Sequence, residues 1–288
     1  MRYDLALFLS LNEEYRDKPI APQPPSTDPV ERARRASKRA AKLASSFELR
    51  RKRLLEIGCG RGEMLRELRI SHGCTVVGAD VRRYPQWDEI EGCTLVQGDL
   101  SDPEVARDIG TFDFIYSNSV WEHIRHPFAM LKRARALLAP DGVMRLSANL
   151  YRGPKASHRY REVFFPWPHL LFTDEVFEQF YESLGRKPAR AAWVNRLSIA
   201  DYLRYFELAG FEVENLSFSI TPIDEPFYRR FADILERYPR YDLERDFLHA
   251  TLRPAGGRPG RRRSTWRDDA KRLAVRVHRR LQRLTRPG

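Results

Sequence analysis

Cysteine is scarce in this chain: Cys59, Cys74 and Cys93 are the only three among 288 residues. No two of them share a Cys-x-x-Cys spacing and no histidine pair lies near them. The sequence therefore offers neither a disulfide framework nor a zinc site, and no metal-ligand set is read from it. Thiol usage of this kind suits a reducing cytoplasm. Long apolar runs are missing too. Residues 5–11 are apolar but few, are flanked by Asp4, Glu13 and Glu14, and precede no small-residue cleavage site, so they read as neither a signal peptide nor a membrane span. Acidic residues are outnumbered, with 39 Asp and Glu against 51 Lys and Arg, a net charge of +12. The excess is local. Residues 258–288 hold twelve Arg and Lys against Asp268 and Asp269, a net +10, and residues 31–53 hold ten against Glu31 and Glu48, a net +8. The rest of the chain is thus mildly acidic at −6.

What is present begins at residues 54–62, Leu-Leu-Glu-Ile-Gly-Cys-Gly-Arg-Gly. This is an apolar strand that ends in an acid and a turn with glycine at every second position. Gly58, Gly60 and Gly62 permit positive φ and remove the Cβ atoms that would block a ligand passing close to backbone. Glu56 puts a carboxylate at the mouth of that turn. A second buried strand at residues 76–80 ends in Asp80, 18 residues after Gly62, which fits one helix and one strand of a βαβ unit. An acid there can accept hydrogen bonds from both ribose hydroxyls. Residues 94–97 form a third strand that runs into Gly98-Asp99-Leu100, and residues 112–116 a fourth that runs into Ser117-Asn118-Ser119-Val120-Trp121-Glu122-His123. Polar residues at successive strand exits mark the ligand edge of an open α/β sheet.

On these residues the chain resembles the class I S-adenosylmethionine-dependent methyltransferases. The likeness extends through Leu137-Leu138-Ala139-Pro140-Asp141-Gly142 into a fifth strand at residues 143–148. It implies an α/β, Rossmann-like, seven-stranded sheet, mostly parallel with an antiparallel last strand and helices on both faces. Residues 211–218 and 247–252 supply the late strands. The resemblance further implies a cofactor site in which Glu56, Gly58, Cys59 and Gly60 meet the methionine portion, Asp80 and Val81 the ribose side, and Asp99 and Leu100 the adenine. Ser117 and Asn118 lie where the methionyl amine or the acceptor is held. A nicotinamide-dependent dehydrogenase would need Gly-x-Gly-x-x-Gly, and here the third glycine comes one residue early. The Glu-His pair and the Pro-Asp-Gly turn look most like the small-molecule, quinone and glycan-type methyltransferases.

Methyl transfer from a sulfonium is a direct displacement, so alignment and exclusion of water matter more than acid-base groups. A hydroxyl acceptor must still lose its proton, and His123 is the candidate base, with Glu122 beside it. The plainer reading is that this pair caps a helix or lines the pocket. Residues 151–197, rich in aromatic residues, histidine, arginine and proline, form an insertion where His158, Tyr160, Trp167 and His169 are candidate acceptor contacts. Trp167, Leu171 and Phe172 can equally build a hydrophobic layer of their own.

The expected layout is residues 1–46 as a Pro-rich segment and basic helix, 47–253 as the catalytic domain, and 254–288 as a basic amphipathic tail. The basic helix should run from Asp28 as N-cap to Ser46, with Val30, Ala33, Ala36, Ala40 and Leu43 inward. The tail carries Leu273, Val277, Leu281 and Leu284 at helical spacing among arginines. It reads as a solvated or partner-binding end, as a peripheral membrane contact, or, last in order, as a nucleic-acid contact. The fourth strand lacks the Asn/Asp-Pro-Pro-aromatic turn of adenine methyltransferases, and no cysteine sits where a cytosine-C5 enzyme needs one, so nucleic acid is disfavoured. The sequence thus points to a cytoplasmic or membrane-associated O-methyltransferase of a small-molecule, glycan or lipid-linked acceptor. An RNA methyltransferase and a noncatalytic cofactor-binding scaffold are the alternatives.

Overall fold

The computed structural model describes residues 3–21 and 27–256. The expected amphipathic helix of the tail lies outside the described residues. Seven strands form one sheet in the order β3-β2-β1-β4-β5-β7-β6. They are β1 (Arg53–Ile57), β2 (Thr75–Asp80), β3 (Thr94–Gln97), β4 (Phe112–Asn118), β5 (Leu138–Asn149), β6 (Phe211–Ile220) and β7 (Arg245–Pro254). Strands β1 to β5 pair in parallel, and β7 runs antiparallel between β5 and β6. This is the Rossmann-like seven-stranded sheet, mostly parallel with an antiparallel last strand, that the resemblance implied. Its middle is apolar on both faces, as crossover helices require: Leu54, Leu55, Phe112, Ile115, Met144 and Leu146 are fully buried. Strand order reverses between β1 and β4, so the carboxyl ends of these two strands open a crevice.

The helices are α1 (Leu5–Glu14), α2 (Pro29–Ser46), α3 (Glu63–His72), α4 (Pro127–Leu137), α5 (Pro168–Leu171), α6 (Asp174–Ser183), α7 (Ile199–Leu208), α8 (Glu225–Arg230), α9 (Ala232–Leu235) and α10 (Arg240–Leu243). Helix α2 starts as its sequence requires, with the Asp28 carboxylate accepting from the amides of Val30 and Glu31 and proline in the first turn. Its inward face is shorter than the periodicity suggested. Ala36, Ala40 and Leu43 are buried, whereas Val30 and Ala33 are exposed, because only the later turns reach the core around Leu54, Leu65 and Leu68. Strand β5 is longer than expected: it starts at Leu138 and takes in the Pro-Asp-Gly residues as an irregularity in its register with β4. Ser198 and Asp201 form a reciprocal capping box at the start of α7.

A second hydrophobic core stands apart from the sheet. It joins α1, the insertion and α8 to α10, with Phe8, Leu11, Phe165, Phe177, Phe180, Phe231 and Leu243 at its centre. The short apolar run near the N-terminus is therefore a packed helix, and Phe8 meets the rings of Phe165, Phe172, Phe177 and Phe180. Among the described residues no helix is long and apolar enough to cross a membrane.

Candidate active site

The glycine turn between β1 and α3 holds Gly58, Gly60 and Gly62 at φ of 76°, 53° and 82°. A Cβ on Gly58 would come within 2.3 Å of Val120, so the turn and the segment after β4 touch there. A Cβ on Gly60 would meet nothing within 4 Å and would project into open space. Asp80, at the end of β2, clamps this turn. One oxygen accepts from the Gly60 amide at 2.9 Å and the other from the Arg82 amide at 3.0 Å. Each oxygen keeps a lone pair for a further donor. The Trp87 indole N–H donates to the Gly60 carbonyl at 2.7 Å, a second clamp that sequence reasoning missed because a tryptophan in a loop carries no positional signal.

Around the turn, Glu56 is buried and one of its oxygens has no hydrogen-bond partner. Burial pushes its carboxyl up to about 8; Arg39 opposes that shift, and Glu63 and Asp80 add to it. Cys59 is buried beside Gly78, whose own Cβ would strike the Cys59 sulfur at 2.8 Å. Val81 is 65% exposed, an apolar surface next to Asp80. Asp99 spends one oxygen on the Ser101 amide, and Leu100 is buried as the anchor of that loop. The Ser117 hydroxyl is used inside the sheet, where it donates to the Ile57 carbonyl and ties β4 to β1. Asn118 accepts from the Ser147 hydroxyl and donates to that of Ser119.

On the other side of the turn the structure gathers residues that are far apart in sequence. Glu122 and His123 sit in the 3-10 turn Trp121–His123 directly after β4. Residues 192–195 cross this turn as a strap. Asn195 donates through its side chain to the Trp121 carbonyl and through its amide to the Glu122 carbonyl, and the Ala192 amide donates to the Ser157 carbonyl. His123 Nδ1 lies 3.0 Å from the Trp193 carbonyl oxygen. A carbonyl only accepts, so Nδ1 carries a hydrogen, and in the neutral ring Nε2 is then the lone pair.

His158 stands beside it, with ring centroids 5.0 Å apart and planes 84° apart. Its Nε2 is 3.0 Å from Asn149 Oδ1, and Asn149 Nδ2 donates to the Asp246 carbonyl, which fixes the amide so that Oδ1 accepts. His158 therefore donates from Nε2 and keeps Nδ1 free. Burial holds its imidazolium form down to about 4, helped by His123 and Arg159. Tyr160 packs by His158, and burial with nearby Glu122 and Asp246 pushes its phenol up to about 12. Glu122 is 1% exposed with neither oxygen in a well-formed hydrogen bond. Burial lifts it to about 7 against the pull of the Glu122 and Asn149 backbone amides.

Two insertion residues fall elsewhere. His169 lies behind the cluster, with Nε2 donating to the Tyr151 carbonyl. Trp167 requires a correction: it is 1% exposed in the second core, and its indole N–H is spent on the Leu243 carbonyl. Aromatic content alone did not separate it from the site. Asn149 and Asn195 were missed in turn. Asn149 repeats the pattern of a polar residue at a strand exit, whereas Asn195 sits in irregular backbone with no pattern to find it.

A family model described as a methyltransferase domain matches residues 30–216. The chain is 37% identical over 109 residues to a ubiquinone biosynthesis O-methyltransferase of Cereibacter sphaeroides, covering 36% of this chain and 43% of that relative. It is 32% identical over 161 residues to the protein of the same name from Haemophilus ducreyi, covering 46% of this chain and 68% of the relative. It thus spans less than half the length of the first of these relatives. Among solved structures, an S-adenosylmethionine dependent methyltransferase from Mesorhizobium loti matches with a TM-score of 0.49 at 17% identity, over 77% of this chain and 99% of the other.

Proposed function

The chain belongs to the S-adenosylmethionine-dependent methyltransferase family, and from that premise we propose that it methylates an oxygen of a small-molecule acceptor, lipid-linked or free, at the His123 side of the glycine turn. The residues at the turn fit the cofactor. Glu56 has a buried oxygen without a partner, suited to the ammonium of an amino-acid group directly or through water. Gly60 leaves open space where a side chain would stand. Asp80 and Asp99 retain lone pairs for ribose and adenine donors, and exposed Val81 offers an apolar face for a base. When bound, the cofactor supplies an electrophilic methyl group on a sulfonium.

The chain's own task is then to hold the acceptor oxygen in line, to keep water out, and to deal with the acceptor's proton. The observation that carries the oxygen reading is the locked tautomer of His123. With Nδ1 donated to Trp193, the free Nε2 is a lone pair at the exit of β4, one strand from the glycine turn. A hydroxyl that donates to it presents its oxygen for attack, whereas an amine acceptor that is already neutral needs no such partner. His158 and Tyr160 flank this position as acceptor contacts. The names of the partial relatives, which place them in ubiquinone biosynthesis as O-methyltransferases, favour a ring hydroxyl over a glycan.

The test is transfer of labelled methyl from S-adenosylmethionine to a panel of phenols and alcohols, with His123→Ala beside the wild type. Loss of about 10²- to 10⁴-fold in kcat with cofactor affinity kept is the expected result. Undiminished turnover in the variant would remove His123 from the reaction.

A further inference from the structure

One face of the sheet carries charge that methyl transfer does not use. Helices α2 and α3 cover this face over β1, β2 and β4, where Leu54, Val76 and Phe114 are buried. Further out, on β5, β7 and β6, the residues on the same face are polar. Successive side chains of a strand point to opposite faces, so the register sets them in rows. Tyr116, Arg145, Thr251 and Asn215 stand side by side, and Asn118, Ser147, His249 and Ser217 form the next row toward the carboxyl ends of β4 and β5. Met144, Leu146, Leu248 and Ala250 alternate with them and pack the core on the opposite face.

Arg39 and Lys42 of α2, both exposed, border these rows. Burial holds His249 below the usual imidazole range, and the charges of Arg145 and Lys42 add to this. Burial pushes the Tyr116 phenol up to about 12, helped by Glu56 and opposed by Arg39 and Arg145, so the hydroxyl keeps its hydrogen. Arg39, Lys42 and Arg145 thus share one patch with these two side chains. Their charge is uncompensated. Arg32 and Arg34 of the same helix pair with Glu63 and Glu31, and Arg253, on β7 beyond Thr251, pairs with Glu214. Among the described residues no carboxylate forms an ion pair with Arg39, Lys42 or Arg145. Glu56, which feels the charge of Arg39, is held protonated near neutral pH by burial. Arg145 Nη1 is itself buried without a hydrogen-bond partner. An enclosed donor left unused is costly, and like charges in a space of low dielectric repel. A bound anion offsets both.

We propose that Arg39, Lys42 and Arg145, with the Tyr116 hydroxyl, bind the phosphate or diphosphate group of a ligand on this face of the sheet. Each of these groups is a cation or an O–H donor, and three cations suit an anion of more than one charge better than a single carboxylate. The Arg145 fork matches phosphate oxygens in geometry as well as in charge. Asn149, which holds His158, lies further along β5 than Arg145 by about 13 Å, so this site is separate from the acceptor contacts. A free phosphorylated compound and a phospholipid headgroup present the same chemistry here.

The test is calorimetric titration of the full-length chain with inorganic pyrophosphate at fixed ionic strength. Residues 258–288, with their net charge of +10, are the same in every variant compared, so their own affinity for anions cancels. The wild type should bind with saturation, and Arg145→Gln and Lys42→Gln should each weaken binding about 10-fold or more. Arg34→Gln, which removes a paired charge of the same helix, should bind like the wild type. Lys42 is exposed, so its variant reads the site even where Arg145→Gln fails to fold. Cosedimentation of the wild type and Lys42→Gln with vesicles of phosphatidylglycerol and phosphatidylcholine separates the two sources. A loss in the variant identifies a headgroup, and equal cosedimentation beside weakened pyrophosphate binding identifies a free compound. No saturable pyrophosphate binding, equal affinity in the wild type and Lys42→Gln, or an equal loss in Arg34→Gln overturns the proposal.

Discussion

Glu56 holds its proton in the free protein near neutral pH, because burial raises its carboxyl from 4.5 to about 8. The folded chain therefore binds one more proton than the unfolded chain between these values, and this group's contribution to stability falls as pH rises through that window. A ligand ammonium beside Glu56 favours the ionised form and reverses the shift. S-adenosylmethionine binding at pH 7 should then release a proton, and affinity should rise from pH 6 to about 8. Calorimetry in buffers of different ionisation enthalpy reads the proton directly, and Glu56→Gln should flatten the profile. Zero proton release in the wild type would show that Glu56 does not meet the charge. Asp80 combines two tasks in one side chain. Asp80→Ala removes acceptors from the Gly60 and Arg82 amides as well as from a ribose, so weakened cofactor binding should come with about 1–3 kcal/mol of lost stability, read from urea titrations. Asp80→Asn, which keeps a single acceptor, should fall between the two. The place of Asp80 at a strand end 18 residues after Gly62 was legible in the sequence. Its clamp on the Gly60 amide was not, because that depends on the conformation of a turn that closes only against β2.

At the scale of elements, the strap at residues 192–195 is what turns a strand exit into a site. It has no regular structure, yet it supplies the carbonyl that sets the tautomer of His123 and the side chain that holds the Trp121–His123 turn. Asn195→Ala should free this turn while the glycine loop stays formed. The expected outcome is a loss of about 10-fold or more in kcat with little change in cofactor affinity, since misplacement of a reacting group is costly in rate. A matching loss of cofactor binding would mean instead that the strap supports the whole sheet edge. Periodicity identified the regular elements around the strap, as Ser198 and Gly210 bracketing α7 illustrate. It had nothing to say about a segment whose structure comes from hydrogen bonds to distant carbonyls.

Among the described residues the sheet packs an apolar cluster on each of its faces and the second core stands apart from both, while the cluster of Glu122, His123 and His158 draws residues from the sheet edge and from the insertion. Helix α1 belongs to the second core although it precedes the sheet domain by the whole of α2. Phe8 is fully buried there among four aromatic rings. Phe8→Ala should cost about 3–5 kcal/mol in stability. Because the second core carries the insertion and the clusters on the sheet carry the glycine turn, methyl transfer should suffer more than cofactor binding in this variant. A single sharp unfolding transition shifted with no such split between activity and binding would argue that the second core and the sheet form one cooperative unit.

The sequence by itself determined the sheet, the glycine turn and the acids at its strand exits. These depend on local periodicity, on positive φ at Gly58, Gly60 and Gly62, and on spacings short enough to be read along the chain. It also singled out His123 and His158, but as separate candidates. Only the tertiary structure decided that they face each other with Glu122 buried beside them, that Trp167 belongs to a core, and that an N-terminal helix completes that core. The physical reason is the same in each case. Partners such as His123 and Trp193, or Phe8 and Phe180, are separated by a length of chain over which sequence pattern carries no information about contact, and burial and hydrogen bonding at the folded site select them.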